Sequence, residues 1–342
     1  LVWLNRSLIF LVISCPCALV VSVPLTFFGG IGGASRKGIL VKSSNYLEMM
    51  AHIKTVVFDK TGTLTEGNFS VTAVYSQMMS EHELIELAAL AESFSDHPLS
   101  ASIRDAYNLP LDKTRVTGYE NIAGEGVMAI IDNRKVYAGN EKLMSRAGVS
   151  PQSCEKIGTI VHVAVDSVYM GHIVVSDNLK PQSAETIARL KASGVGKTIM
   201  LTGDRSDVAK DIAGKVNIDE FHAELLPIDK VRFVEALRKE HARSPIAFVG
   251  DGINDAPVIK LADIGIAMGA VGSDAAIEAA DIVLMNDNPM NIVEGMMIAR
   301  KTLSIVKQNI VFAIGIKLLM LLLGALGVVN MWAAVFADVG VT

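Results

Sequence analysis

Three short motifs in this sequence combine acidic residues with glycines in a way that suits phosphoryl chemistry. Asp59 follows the apolar run Thr-Val-Val-Phe and opens the segment DKTGTLTEG. A TGD triplet lies at Thr202–Asp204, and a GDGINDAP segment lies at Gly250–Pro257. A carboxylate at the tip of a strand can attack a phosphoryl group and form an acyl phosphate, which divides one difficult transfer into two easier steps. The sequence therefore predicts that Asp59 is a phosphate-accepting nucleophile.

The approach of a carboxylate to a polyanionic substrate requires positive charge nearby. Phosphoryl transfer depends mainly on positioning and on neutralisation of charge, which magnesium and lysine usually supply. We expect Mg²⁺ to be held by Asp59, Thr61 and Asp251, and Lys230 to lie on the transferred phosphoryl group. The residues with predicted catalytic roles are Asp59, Lys60, Thr61, Thr202, Gly203, Asp204, Lys230, Asn254 and Asp255. A single Asp before a glycine is more often a strand-ending turn, but three such motifs together favour a site.

The elements that must position these motifs follow from the pattern of β-branched runs. Short runs of this kind alternate with helical patterns, which is typical of a parallel α/β sheet. In an open parallel sheet the ligand site lies beyond the carboxyl ends of the strands, so the three motifs are expected to converge on one crevice. The predicted strands are Thr55–Asp59, Lys197–Asp204, Pro245–Asp251, Ile264–Met268 and Asp281–Met285.

Between the first strand and the others lies a segment with its own helix and strand signals. The sequence predicts a helix over Glu81–Ala91 and strands over Val127–Ile131 and Val161–Val165. The simplest interpretation is an inserted domain over residues 74–168. It divides the phosphorylation domain into residues 43–73 and 169–306, with a membrane helix and its cytoplasmic exit in residues 1–42 and a truncated membrane hairpin in residues 307–342.

The hydrophobic share of 51% is high for a chain of 342 residues and argues for a membrane part. Leu8–Phe28 holds no charge, and Ile310–Val329 is interrupted only by Lys317. Each stretch is long enough to cross a bilayer core of about 30 Å. Basic residues flank the central segment and predict that it is cytoplasmic. Since the chain begins with Leu1 and ends within an apolar run, both ends are expected to be internal to a longer polypeptide.

The first apolar stretch contains Cys15-Pro16-Cys17. Proline frees a backbone carbonyl and unwinds a turn, so both sulfurs can face one cavity, and thiolates select soft ions. Two small packing residues are the alternative interpretation. Lys317 and Asp338 lie in apolar sequence, where a charge is costly enough to suggest function. The alternatives are that Lys317 snorkels towards the membrane interface and that Asp338 lies near it. Cys15, Cys17 and Asp338 suit Zn²⁺ or Cd²⁺, with Lys317 as counter-charge. The net charge of −5 argues against a nucleic-acid partner.

On these residues the chain resembles heavy-metal-transporting P-type ATPases over nearly its whole length. The resemblance rests on the Cys-Pro-Cys helix, DKTGTLTEG, Ser95-x-His97-Pro98, TGD, GDGINDAP, and the pair formed by Lys317 and Asp338-x-Gly340. It implies a haloacid-dehalogenase-like parallel-sheet phosphorylation domain with an inserted α+β nucleotide-binding domain, flanked by transmembrane helices. The implied activity is ATP-driven export of Zn²⁺, Cd²⁺ or Pb²⁺ through an aspartyl phosphate on Asp59.

The resemblance also implies a nucleotide pocket, cofactors and a location. By resemblance the pocket is lined by Glu92, His97, Gly124, Gly126 and Gly139. The implied cofactors are Mg²⁺ and ATP, with a cytoplasmic metal donor as a candidate partner, in a multi-pass protein of a bacterial plasma membrane. The family's earlier helices, its actuator domain with a Thr-Gly-Glu loop, and its Cys-x-x-Cys module are not found in this sequence. We therefore expect the chain alone to bind nucleotide without completing a transport cycle.

Three alternatives remain open at the level of sequence. A Cu(I) exporter shares the phosphorylation motifs and the Cys-Pro-Cys helix. A soluble phosphatase of the haloacid-dehalogenase type shares the chemistry of Asp59 without transport. An inactive truncated remnant retains the motifs alone.

Overall fold

The computed structural model describes residues 2–95, 97–152, 154, 158–240, 244–252, 255–269 and 274–340. The described residues divide into two compact units. The first unit takes its residues from 1–59, 184–200 and 226–342, and the second from 60–183 and 201–225. The predicted domain boundaries, which separate residues 74–168 from the rest, are drawn differently and stay a prediction.

The helices and strands have the following bounds. The helices are α1 (Val2–Ser14), α2 (Cys17–Ser35), α3 (Ser44–Ala51), α4 (Glu81–Ala91), α5 (Pro98–Tyr107), α6 (Glu141–Arg146), α7 (Ser183–Ala192), α8 (Ser206–Val216), α9 (Pro227–Glu240), α10 (Ala256–Leu261), α11 (Asp274–Ala279), α12 (Met290–Ala325) and α13 (Met331–Val339). The strands are β1 (Ile39–Val41), β2 (Thr55–Asp59), β3 (Thr65–Ser76), β4 (Val116–Ile122), β5 (Gly126–Ile131), β6 (Arg134–Gly139), β7 (Thr159–Val165), β8 (Val168–Leu179), β9 (Lys197–Leu201), β10 (Glu220–His222), β11 (Ile246–Gly250), β12 (Ile264–Met268) and β13 (Ile282–Leu284).

The first unit contains a largely parallel sheet. Its strands lie in the order β1–β13–β12–β11–β2–β9. Strand β11 pairs in parallel with β2 and with β12, and β12 pairs in parallel with β13. Strands buried on both faces read as continuous apolar runs, which is why the sequence located β2, β9, β11, β12 and β13 correctly. The antiparallel edge strand β1, three residues long, was not predicted.

The register of the central strands aligns two of the motifs. Val249 on β11 pairs with Phe58 on β2. The next residues along the two strands, Gly250 and Asp59, therefore end them at the same level, and Asp251 leaves β11 at this edge of the sheet. The predicted convergence of the DKTGT and GDGINDAP motifs is confirmed.

The second unit contains an antiparallel sheet in the order β3–β8–β7–β6–β5–β4. Helices α4 and α5 pack on it through buried side chains such as Leu84 and Ile103. The predicted helix Glu81–Ala91 is confirmed, and it begins with a capping box in which Ser80 and Glu83 satisfy each other's backbone N–H groups. The predicted strands at Val127–Ile131 and Val161–Val165 correspond to β5 and β7.

Within the described residues, two helical segments are long and apolar enough to cross a membrane, Ser7–Ser35 and Met290–Ala325. The first is interrupted as predicted, since α1 ends at Ser14 and α2 begins at Cys17. The second begins at Met290, well before the apolar stretch that the sequence outlined, because α12 is one continuous helix from Met290 to Ala325. Asn330 caps α13, since its side chain accepts a hydrogen bond from the Ala333 N–H at 2.9 Å.

Gly265 on β12 offers a test of how tightly α10 packs on the first sheet. A Cβ atom at this position would lie 2.4 Å from the backbone oxygen of Ile259, which a side-chain rotation cannot relieve. We predict that Gly265→Ala lowers the free energy of unfolding by about 1–3 kcal/mol, the usual cost of overpacking. Chemical denaturation followed by circular dichroism measures this change.

Gly214 on α8 is the matched control, because a Cβ atom there would meet nothing within 4 Å. Alanine is favoured over glycine inside a helix by about 0.5–1 kcal/mol, so Gly214→Ala is expected to be neutral or stabilising. Equal destabilisation by the two substitutions would contradict the packing argument.

Candidate active site

Three carboxylates meet at the carboxyl-terminal edge of the parallel sheet. Asp59 ends β2, Asp251 follows β11, and Asp255 precedes α10. One oxygen from each carboxylate lies within 4.8 Å of the other two. Asp59 and Asp255 are buried, whereas Asp251 is partly exposed. Like charges this close repel one another strongly, so the arrangement requires cations.

Lys230 supplies positive charge to this cluster from the first turns of α9. Its Nζ atom lies 2.5 Å from Oδ1 of Asp59 and 2.9 Å from Oδ1 of Asp255. The side chains of all three residues are at most 10% exposed. Asp59, Asp251, Asp255 and Lys230 are therefore brought together as the sequence predicted.

Gly250 permits this close arrangement. A Cβ atom at Gly250 would lie 3.0 Å from both Cβ and Oδ2 of Asp255. Any larger residue would push the Asp255 carboxylate away from Lys230. Glycine is therefore favoured at the first position of GDGINDAP because a side chain there would collide with Asp255.

Burial shapes the protonation of the cluster. Burial, and then the neighbouring charge of Asp255, raise the pKa of Asp59 to about 7, even though Lys230 acts in the opposite direction. Burial by itself would lower the pKa of Lys230, but the charges of Asp59 and Asp255 outweigh it and hold the pKa raised. One ammonium group among three carboxylates leaves an excess of negative charge. A hard divalent cation with oxygen ligands, such as Mg²⁺, fits this set of donors.

The residues that follow Asp59 lie in the second unit and form a tight turn, Lys60–Leu64. Gly62 has φ = +70°, a conformation that favours glycine. Lys60 is buried, and its Nζ atom lies 2.6 Å from Oδ2 of Asp204 and 3.6 Å from Oδ2 of Asp177. The DKTGT and TGD motifs therefore meet through an ion pair, while Thr61 is exposed at the surface of the turn.

Hydrogen bonds fix the TGD triplet itself. The Thr202 N–H donates to the His222 carbonyl at 3.0 Å, and the Asp204 N–H donates to Thr202 Oγ1 at 3.1 Å. Thr202 is buried and Gly203 is exposed. A Cβ atom at Gly203 would lie 3.2 Å from the Leu225 carbonyl oxygen. The three residues thus form a compact turn with its glycine facing outward.

Two residues that support the turn were missed from the sequence. Asp177, at the end of β8, accepts hydrogen bonds from the Gly67 N–H at 3.0 Å and from Thr65 Oγ1. Burial raises its pKa, against the effect of Thr65 and Lys60. Lys180 Nζ donates to the Gly62 carbonyl at 2.6 Å. Asp177 could have been found from the sequence, because it follows an apolar run as Asp59 does.

The predicted nucleotide residues Glu92 and His97 lie at the end of α4 and at the start of α5, respectively. Glu92 is buried, and its Oε2 accepts a hydrogen bond from Ser100 Oγ at 2.7 Å. Burial raises the pKa of Glu92, against the hydrogen bonds from Ser100 and Ser95. His97 is exposed, and its Nδ1 accepts from the Leu99 N–H at 3.2 Å, which caps α5. His97 therefore directs its other ring nitrogen away from the helix.

The three predicted pocket glycines differ in their surroundings. Gly124, with φ = +75°, lies in the turn between β4 and β5, and a Cβ atom there would meet nothing within 4 Å. Gly126 and Gly139 pair across β5 and β6, and a Cβ atom on either would lie 2.3 Å from a backbone oxygen. Leu143 of α6 also covers both positions. These two glycines have a packing role that the sequence did not reveal, whereas Gly124 leaves open space.

A cavity of about 930 Å³ lies in the second unit. It is large enough for a nucleotide, since ligand cavities usually measure about 300–1,000 Å³. Its lining includes Lys60, Asp177, Gly203 and Asp204. None of the predicted adenosine residues is part of the described lining: Glu92, His97, Gly124, Gly126 and Gly139.

The predicted ion-binding residues lie where α1 and α2 meet. The sulfurs of Cys15 and Cys17 are joined as a disulfide, with Cα atoms 5.5 Å apart. Two residues separated by one proline thus bring their sulfurs together, as the sequence predicted, and their role as ligands of the transported ion stays a prediction. Lys317 Nζ donates to the carbonyls of Ile13, at 3.3 Å, and Cys15. This contact was not predicted, although Pro16 signalled the unwound turn.

Two predicted site residues fall outside what the structure describes. Asn254 is not among the described residues, and the side chain of Asp338 is not described. The backbone of Asp338 belongs to α13, which packs on α1 through Ala334, Ile9 and Ile13.

Residues 53–263 match the family model of haloacid dehalogenase-like hydrolases. This segment covers well over half of the chain and contains the buried carboxylate at the tip of β2, so the chain belongs to this family. The predicted fold class is confirmed by this match and by the structural likeness described next.

Within the family the chain is similar to metal-transporting ATPases. It is 53% identical to a zinc-transporting ATPase of Synechocystis sp., across 99% of this chain and 47% of that protein. It is 52% identical to a cadmium, zinc and cobalt-transporting ATPase of Bacillus subtilis, across 99% of this chain and 49% of that protein. The crystal structure of a zinc-transporting PIB-type ATPase in the E2.Pi state matches with a TM-score of 0.88 at 37% identity, across 99% of this chain and 56% of that one. The chain spans about half the length of the curated relatives it matches.

Removal of the Lys230 charge tests the electrostatics of the carboxylate cluster. We predict that Lys230→Met lowers the free energy of unfolding by about 3–5 kcal/mol, since breaking a buried ion pair leaves uncompensated charge. Chemical denaturation in the presence of a chelator measures the change. Lys239→Met, on the exposed face of the same helix, is the matched control and is expected to have little effect. A similar loss in both variants would contradict the assignment.

Two buried histidines of the second unit predict a dependence of stability on pH. Burial lowers the pKa of His162 and of His172 below the ordinary 6.5, with a further decrease at His162 from His172 and an opposing effect of Glu141. The stability that the two neutral histidines contribute is therefore present above pH 6.5 and is lost as the pH falls through their pKa values in the folded protein.

We expect the melting temperature to fall as the pH is lowered from 7 towards 5, and to fall less in the double variant His162→Gln/His172→Gln. Thermal melting across this pH range compares the two slopes. Identical slopes would rule out these histidines as the source.

Proposed function

We propose that this chain is the phosphorylation and ion-binding part of an ATP-driven exporter of a soft divalent metal ion, which forms an aspartyl phosphate on Asp59. The observation that carries the proposal is the placement of Asp59 at a strand tip, 2.5 Å from a buried lysine and beside two further carboxylates. The relatives that match the whole chain are named as transporters of zinc, cadmium and cobalt, which supports the same assignment.

In the proposed reaction, a carboxylate oxygen of Asp59 attacks the γ-phosphorus of ATP. The bond from this phosphorus to the bridging oxygen breaks, and ADP leaves with the electron pair. Lys230 stabilises the negative charge of the phosphoryl group during transfer, and Thr202 and Gly203 donate hydrogen bonds to its oxygens. Lys60, held by Asp204 and Asp177, keeps the turn after Asp59 in place. Attack by water on the aspartyl phosphate later returns the carboxylate.

Mg²⁺ is proposed at the carboxylate cluster. Asp59, Thr61 and Asp251 would hold it, with Asn254 and Asp255 completing that side of the site. When bound, it would neutralise charge on the phosphate oxygens. The fit rests on the three carboxylates, whose charge exceeds that of Lys230.

ATP is the proposed phosphoryl donor, with its adenosine held by Glu92, His97, Gly124, Gly126 and Gly139. The backbone at Gly124 is open to a ligand, whereas Gly126 and Gly139 lie against Leu143. Residues 74–168 remain the proposed nucleotide-binding domain, inserted between the two parts of the phosphorylation domain.

The transported ion is proposed to bind where α1 and α2 separate. Cys15 and Cys17 would ligate it as thiolates after reduction, together with Asp338, and this set suits Zn²⁺, Cd²⁺ or Pb²⁺. The ammonium group of Lys317 lies on the carbonyls of Ile13 and Cys15. A positive charge at this position can replace the ion after release, which supports its role as counter-charge.

The proposed location is a bacterial plasma membrane, with the catalytic residues on the cytoplasmic side and a cytoplasmic protein as the metal donor. The two apolar helical segments support membrane insertion and disfavour a soluble phosphatase.

Phosphoryl transfer to Asp59 is tested with γ-phosphate-labelled ATP on the complete protein in membranes, with Zn²⁺ added. We expect an acid-stable label that hydroxylamine removes, and its loss in Asp59→Asn, because an amide cannot act as the nucleophile. Asp105→Asn, on the exposed surface of α5, is the control and is expected to keep the label. A label that persists in Asp59→Asn would refute the proposed acceptor.

The role of Lys317 is tested by zinc uptake into inside-out vesicles. We expect Lys317→Ala to reduce uptake by roughly tenfold or more, since hydrogen bonds of charged groups are worth about 1.5–3 kcal/mol. Lys307→Ala, an exposed lysine earlier on α12, is the control and is expected to transport normally. Normal uptake by Lys317→Ala would exclude a counter-charge role.

A further inference from the structure

A row of paired residues crosses the antiparallel sheet of the second unit. Gly126 pairs with Gly139, Gly139 with His162, His162 with His172, and His172 with Tyr75. Residues directly opposite one another on neighbouring strands share one face of the sheet. His162 therefore lies beside Gly139 on the same face, next to a position already proposed to contact nucleotide. Sequence reasoning assigned no role to His162, His172 or Tyr169.

His162 is only 2% exposed, yet it lines the cavity of about 930 Å³. The same cavity is lined by Lys60 and Asp204, which belong to the proposed phosphorylation motifs. It therefore extends from the turn after Asp59 to the ring of His162. Because Glu92 and His97 do not line it, the cavity suits the phosphate chain of ATP better than the adenine.

Hydrogen bonds hold the His162 ring in one orientation. Its Nδ1 lies 2.9 Å from the Tyr169 hydroxyl, which lies 3.1 Å from Nδ1 of His172. His172 is also buried, and its ring lies 4.8 Å from that of Tyr75. Among the described residues, no hydrogen bond reaches Nε2 of His162.

The state of His172 decides which nitrogen of His162 carries the proton. Nε2 of His172 is enclosed and has no hydrogen-bond partner among the described residues. A buried N–H donor without a partner is rarer than an acceptor without one. The favoured arrangement therefore has His172 Nδ1–H donating to the Tyr169 oxygen, and the Tyr169 O–H donating to His162 Nδ1. In neutral histidine the remaining proton then lies on Nε2 of His162.

We propose that His162 is a nucleotide-contacting residue that donates its Nε2–H to a phosphate oxygen of ATP, and that Tyr169 and His172 are positioning residues that fix its tautomer. This inference rests on the proposed function, since it assumes that ATP is the phosphoryl donor. An uncharged donor on a cavity wall adds affinity for phosphate oxygens without repelling the bound cation.

The test measures ATP binding to the complete protein by calorimetry and the KM for ATP in phosphoryl labelling of Asp59. We expect His162→Ala to weaken ATP binding and raise KM by roughly tenfold, the effect of one hydrogen bond to a charged group. The labelling rate at saturating ATP is expected to stay the same. His162→Gln retains an N–H donor at similar reach, so it is expected to restore most of the affinity.

Two further variants separate positioning from folding. Tyr169→Phe keeps the ring but removes the hydroxyl that bridges His162 and His172. We expect a several-fold rise in KM for ATP, smaller than for His162→Ala. His82→Ala, at an exposed histidine of α4, is the control and is expected to bind ATP as the wild type does. Adenosine serves as a second probe, and its affinity is expected to be unchanged in His162→Ala.

The outcomes are distinguishable. If the wild-type protein labels and His162→Ala binds ATP with unchanged affinity, this inference is overturned while the proposed function stands. An equal loss of affinity for adenosine would also overturn the phosphate contact. If His162→Ala unfolds, His162→Gln decides, because a tenfold loss in a folded His162→Gln would contradict rescue by a donor. A wild-type protein that takes no label would refute the proposed function itself.

Discussion

The burial of one carboxylate among two others is the constraint on which the rest of the site depends. Asp59 ends a fully buried strand, and Asp255 and Asp251 lie within 4.8 Å of it, with Lys230 as the compensating cation. Such an arrangement is costly without charge neutralisation. The same excess of negative charge makes the cluster receptive to a divalent cation and to a phosphate that a cation accompanies. The cluster therefore lowers the stability of the fold at the site where phosphoryl transfer is proposed.

The carboxylate cluster and the apolar helices belong to the same unit, and the parallel sheet connects them. Strand β1, which follows α2, pairs antiparallel with β13, and β13 is followed by α12. Both apolar segments therefore leave the sheet at one edge, the edge opposite to β9. Helix α12 runs without a break from Met290 to Ala325 and presents Lys317 to the carbonyls at the Cys15–Pro16 break. A continuous helix is a stiff connection between the sheet that carries Asp59 and the proposed ion site.

The second unit shows how one sheet can serve both packing and binding. Gly126 and Gly139 admit Leu143 close to the strands, and the same row of paired residues continues to His162 and His172. Buried polar side chains in such a row must be hydrogen-bonded to one another. The hydrogen bond to Tyr169 provides a partner for Nδ1 of His162. Because Nε2 of His172 has no partner among the described residues, the favoured direction of donation runs from His172 through Tyr169 to His162.

Sequence reasoning alone predicted the strands of the parallel sheet, the helix Glu81–Ala91, the break at Pro16 and the cluster of Asp59, Asp251 and Asp255. The strands, the helix and the break are local features, since apolar runs, capping residues and proline act through their immediate neighbours. The carboxylate cluster joins distant residues, but it was predictable because the carboxyl ends of parallel strands lie at one edge of a sheet. Only the tertiary structure revealed the edge strand β1, the support from Asp177 and Lys180, the carbonyl contacts of Lys317 and the row that contains His162. Each depends on residues far apart in the chain, and their pairing is set by strand register and helix packing, which short-range patterns do not encode.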